Sequence, residues 1–84
     1  MDYYDTENDS PDLAEIIMSR ISSQLSTHNW SLKILSDNSG VPYETIKKIA
    51  NGKISNPSLK SILKISLAFG CTIDYLAGKE ISPR

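Results

Sequence analysis

The stretch GVPYETIKKIANGK, Gly40 to Lys53, decides the fold of this chain. It reads as a short helix opened at Pro42 or Tyr43 and closed by Asn51-Gly52, because proline suits a first turn and Asn-Gly supplies the left-handed residue at which helices stop. At about 100° per residue, Tyr43, Glu44, Lys47, Lys48 and Asn51 fall within an arc of roughly 140°, opposite Ile46 and Ile49. So short a helix cannot persist in isolation. Ile46 and Ile49 must be buried against neighbouring elements, and the polar face must point away from them.

Immediately upstream, Trp30-Ser31 opens another helix, with Ser31 as its cap and Trp30 placed to pack on Leu35 as a hydrophobic staple. That helix runs to Ser39-Gly40. Only Ser39, Gly40 and Val41 separate the two helices, a connection that forces a steep crossing and requires positive φ at Gly40. Ser36 is small enough to let the backbones approach. Leu35, Val41, Ile46 and Ile49 supply the apolar contacts that fix the angle.

Farther out, Leu13, Ile16, Ile17, Ile21 and Leu25 form one helical stripe, which Ser10-Pro11 can start and Asn29 can end. After the polar loop KISNP, Asn56-Pro57 starts a fourth helix whose Leu59, Ile62, Leu63 and Phe69 recur at helical spacing, and Gly70 closes it. A short fifth helix capped by Thr72 contributes Ile73 and Leu76. No window alternates with the period of a strand. The expected fold is all-α, five short helices around one core. Residues 10–78 form the domain, residues 1–9 an acidic, disordered extension, and residues 79–84 a tail or linker.

The 84 residues suffice for one modest core. The longest apolar runs are a few residues, too short for a membrane span or a signal-peptide core. A single cysteine, Cys71, cannot form an internal disulfide, which agrees with a reducing, cytoplasmic setting. The formal net charge of −1 conceals a segregation: residues 1–12 hold five of the ten acids and no base, whereas from Leu13 onward nine bases meet five acids, a net +4. A cationic body suits a polyanionic partner. Nothing resembles a catalytic triad, a phosphate loop or a carboxylate pair, so neither an enzyme nor a cofactor is expected. His28 stands alone near a helix end, which points to helix termination rather than catalysis or metal binding.

From Ser31 to Leu76 the chain resembles the phage-repressor-like (Cro/CI, XRE-type) helix-turn-helix family. The residues that carry the resemblance are Leu35, Ser36, Gly40, Val41, Ile46, Ile49, Gly52, Pro57, Leu59, Phe69, Ile73 and Leu76, and Leu13 to Asn29 fits that family's first helix. The resemblance implies a lambda-repressor-like fold whose third helix lies in the DNA major groove while the second crosses the backbone. By position, Pro42, Tyr43, Glu44 and Lys48 would face bases. Ser31, Lys33, Lys47, Asn51 and Lys53 would lie near phosphates, Asn51 through its backbone amide.

The chain departs from that family at four places. Leu32 stands where a glutamine often braces the recognition helix, and Ala50 where an acid often pairs with a base in the first helix. Pro42 replaces the usual Ser or Thr cap, forgoing about 1 kcal/mol, which Glu44 partly restores through the helix dipole. Cys71 occupies a slot that the family fills with valine. The resemblance implies a double-stranded DNA-binding transcriptional regulator, a repressor of phage or mobile-element type, acting as a homodimer on a pseudo-palindromic operator. A protein-interaction module of the same fold, such as an antitoxin or docking domain that reads no DNA, is the alternative. Salt dependence separates the two, since phosphate contacts weaken steeply with salt.

Overall fold

Five helices make up residues 13–79, the part of the chain that the computed structural model describes: α1 (Leu13–His28), α2 (Leu32–Ser39), α3 (Tyr43–Ala50), α4 (Leu59–Phe69) and α5 (Ile73–Leu76). The architecture is the all-α, lambda-repressor-like one, with no strand among the described residues. Ser10-Pro11, the acidic opening and residues 80–84 lie outside them.

The helix ends obey local chemistry. Ser31, Ser58 and Thr72 each hold extended backbone, and their hydroxyl oxygens accept the N–H of Ile34, Ser61 and Tyr75, satisfying one orphan donor per helix. α1 ends in a Schellman motif: Asn29 takes φ 58°, its N–H donates to Ser26 O, and the Trp30 N–H donates to Leu25 O. α3 ends the same way at Gly52, with donation to Ile49 O, and Lys53, with donation to Lys48 O. α2 differs. Gly40 (φ 80°) gives a single bond to Ser36 O at 2.9 Å, because the next N–H, that of Val41, is captured by Ser39 Oγ at 3.1 Å.

The start of α4 corrects the expectation drawn from Asn56-Pro57. Ser58 caps the helix and Pro57 stays in the loop, since only Ser58 offers a side-chain acceptor to the first turn.

Ile17, Ile21, Leu35, Val41, Ile46, Ile49, Ile62, Ile65, Phe69 and Leu76 form one buried cluster, so every helix contributes. α3 packs on both α1 and α2, while α4 packs on α2 and α5. Two expected stripes are rotated. In α1, Ala14 is buried and Leu13 is exposed, so the inward stripe runs through Ala14, Ile17 and Ile21. In α4, Ile62, Ile65, Ser66 and Phe69 face inward, whereas Leu59 and Leu63 are exposed. Trp30 is half-buried, stacked on Phe69 at 5.6 Å and tilted against His28 at 4.7 Å. His28 Nδ1 donates to the Gln24 carbonyl at 2.9 Å, serving an end of α1 as its position suggested. No described helix is long and apolar enough to cross a membrane.

Candidate nucleic-acid interface

The turn between α2 and α3 sets where the polar face points. Gly40 reverses the chain, and Ser36 does more than stay small: its hydroxyl donates to the Val41 carbonyl at 2.7 Å, tying α2 to the residue that precedes α3. Val41, Ile46 and Ile49 are buried beneath. Each such side chain contributes about 1.5–3 kcal/mol, ample to hold an eight-residue helix in place. Leu32 and Ala50 are half-buried against the same core, so apolar packing stands at the two positions where polar braces were missing.

With the core side fixed, the opposite face of α3 is presented to solvent. Pro42 is the N-cap residue and makes no side-chain capping bond. Glu44 lies in the first turn and Lys47 and Lys48 in the last, the order that complements the helix dipole. Glu44, Lys47, Lys48, Asn51 and Lys53 line one shallow hollow of about 280 Å³. Three lysines and one acid give this surface a positive balance.

Contacts on the face divide the lysines. Lys47 Nζ lies 3.7 Å from Glu44 Oε2 and 5.3 Å from the centre of the Tyr43 ring. It therefore holds Tyr43 and Glu44 in a common arrangement, a role that sequence spacing of three and four hints at but does not establish. Lys48 and Lys53 are exposed and have no ion pair among the described residues. Their charge is available to a phosphate or a base edge.

Ser31 and Lys33 lie at the start of α2, outside the hollow. Ser31 Oγ accepts from Ile34 N–H at 3.2 Å, which leaves its own hydrogen free to be donated. Lys33 is bonded to Asp37 at 3.1 Å, so an incoming phosphate must compete with that carboxylate. One expectation fails on the geometry. The Asn51 backbone amide donates to Lys47 O at 3.0 Å, the ordinary helical bond, so only its side chain can reach outward.

The family profile described as Helix-turn-helix matches residues 27–76, more than half of the chain. No curated protein and no solved structure is significantly similar to the chain. The matched segment spans α2 through α5 together with the last two residues of α1, and so contains the α2–α3 turn and every residue of the hollow.

Proposed function

This chain belongs to the XRE-type helix-turn-helix family of DNA-binding regulators, and from that membership we propose that it is a sequence-specific transcriptional repressor of phage or mobile-element type, working in the cytoplasm as a homodimer on a pseudo-palindromic operator. The α3 face enters the major groove. Pro42, Tyr43, Glu44 and Lys48 meet base edges, with Glu44 positioned to accept from a cytosine amino group and Tyr43 to touch a thymine methyl. Ser31, Lys33, Lys47, Lys53 and the Asn51 side chain meet phosphates, fixing register without reading sequence.

The observation that carries this reading is the exposure of Lys48 and Lys53, ion-pair-free among the described residues, beside the Tyr43–Lys47–Glu44 group, on a helix whose other side is clamped by Ile46 and Ile49. An exposed lysine is ordinarily just solvated; what sets these two apart is their place on and just past the exposed helix that follows the short α2–α3 turn. The test is a binding selection from random-sequence duplexes, followed by titration of the winner at two salt concentrations. An enriched palindrome with salt-steep binding supports the proposal; no enrichment, with salt-insensitive capture of proteins only, favours the interaction module instead.

A further inference from the structure

α1 begins beside the far end of α3. Met18 Sδ lies 3.2 Å from the point where a Cβ on Gly52 would stand, and Gly52 sits between the last turn of α3 and Lys53. From Met18 back to Leu13, the first residue of α1, is about 7.5 Å along the helix axis. The chain therefore enters α1 within about a turn and a half of the end of α3, where Lys48, Asn51 and Lys53 line the hollow together with Glu44 and Lys47.

What enters there is acidic. Residues 1–12 hold Asp2, Asp5, Glu7, Asp9 and Asp12 and no base, while the hollow sets three lysines against Glu44. Asp5, Glu7 and Asp9 stand at alternate positions, so an extended chain turns all three carboxylates to one side, over about 13 Å. That length matches the roughly 12 Å of α3, with its eight residues. Reach is ample, since the chain from Asp5 to Leu13 can cover up to about 27 Å. Lys60 and Lys64 form another basic pair, but on α4, which packs on α2 and α5, whereas α3 packs directly on α1. Gly78 also meets α1, at Ile16, but brings the single base Lys79.

We propose that residues 2–9 fold back onto the α3 hollow as a tethered polyanion that occupies its lysines until a duplex displaces it. It rests on the DNA-reading proposal only for that displacement. A short tether gives an effective concentration in the millimolar range, so a contact with a dissociation constant of about 1 mM is about half-occupied. The arm and phosphate compete for the same charges, and apparent affinity for every duplex falls in proportion to the open fraction.

The experiment needs no DNA. In the isotope-labelled 84-residue chain carrying Cys71→Val, a nitroxide is attached at Thr6→Cys once a thermal melt establishes folding. Broadening of backbone amides is then read at about 0.01 M and about 1 M salt, where the Debye length is about 30 Å and about 3 Å. The baseline is the same chain with Asp2→Asn, Asp5→Asn, Glu7→Gln and Asp9→Asn, which keeps the tether and removes the charge. At low salt the amides of Lys48, Asn51 and Lys53 should broaden about threefold or more beyond that baseline, those of Lys60 and Lys64 should not, and the excess should vanish at high salt. Equal broadening with charged and neutral arms, an excess centred on α4, or an excess that survives high salt overturns the proposal. So does an excess that disappears when the labelled chain is diluted into unlabelled chain, because the arm then belongs to a neighbour. Should Cys71→Val not fold, α3 amide shifts are compared between the natural and neutral arms without any label, and identical shifts overturn it equally. Failure of the DNA-reading proposal leaves these spectra unchanged, so the two can fail separately.

Discussion

Replacing Lys53 and Lys48 in turn by alanine separates charge from sequence reading on two residues that share one hollow. Neither is ion-paired among the described residues, and both are exposed. Lys53 follows the Schellman turn of α3, with its N–H on Lys48 O at 2.9 Å, so its side chain leaves the helix end beside the expected backbone path. Losing one phosphate contact lowers the magnitude of the salt slope by about 0.9. Over a fourfold rise in salt that is a loss of affinity about 3.5 times smaller than for the wild type. The change should be the same on the selected operator and on random duplex. Lys48→Ala should instead cost about 1–3 kcal/mol on the operator, between about fivefold and 150-fold in affinity, and far less on random duplex. Tyr43→Ala should follow Lys48→Ala. Fluorescence anisotropy titrations of both duplexes at two salt concentrations measure all four quantities, and thermal melts guard against a folding defect, which exposed side chains should not cause. If Lys48→Ala and Tyr43→Ala both leave operator affinity intact in a folded protein, α3 is not the reader, and the reasoning from its face is wrong.

Deleting residues 1–9 should tighten binding to random duplex at low salt, because the acids there compete with phosphate for the basic face; the gain should fade near physiological salt, where the Debye length is about 8 Å, and an unchanged or weaker binding would count against the competition. Gly40→Ala should cost about 1–2 kcal/mol through backbone strain alone, since nothing lies within 4 Å of the added Cβ, whereas at Gly78 that carbon would fall 2.7 Å from Ile16 Cγ2 and the cost should be larger. Melting temperatures compare the two, and equal shifts would refute the contrast. Hydrogen bonds with Gln24 and Ser23, and more weakly the Arg20 guanidinium lying 4.7 Å over its ring, hold the Tyr75 hydroxyl below its ordinary value of about 10. The folded state thus favours the phenolate. The wild type should gain stability over Tyr75→Phe as pH rises through the interval between that lowered value and 10, keep the gain above it, and lose it as pH falls back; a difference that is flat with pH argues the opposite.

The caps and the α2–α3 turn were legible because each is a local rule. Ser31, Thr72, Gly40 and Asn51-Gly52 act through bonds within four or five residues, and the structure uses them where the sequence put them. The inward face of α4 was not legible. That helix is apolar on two sides, through Ile62, Ile65 and Phe69 and through Leu59, Leu63 and Leu67, and periodicity alone cannot say which side meets α2. Ala14 escaped notice in α1 for a related reason: a small residue marks close helix contact but carries little hydrophobic signal. In the site, the fan of α3 side chains followed from helix geometry, while the hold of Lys47 on Tyr43 and Glu44 depended on rotamers that spacing leaves open. The Asn51 amide was misassigned because the helix continues one bond further than its last apolar residue suggests.

The division of α3 into a clamped side and an open side bears on how such a protein changes over generations. Ile46 and Ile49 answer to the core and tolerate little, whereas Tyr43, Glu44 and Lys48 are exposed and contribute to folding only through the surface contacts of Lys47 and the helix-dipole effect of Glu44. Mutations at the open positions thus carry little folding penalty, so on the proposed reading a lineage can drift from one target sequence to another through intermediates that all remain folded. If α3 reads DNA as proposed, specificity is heritable as a small set of exchangeable letters on a fixed support, and a duplicated copy needs only a few substitutions to escape its parent's targets.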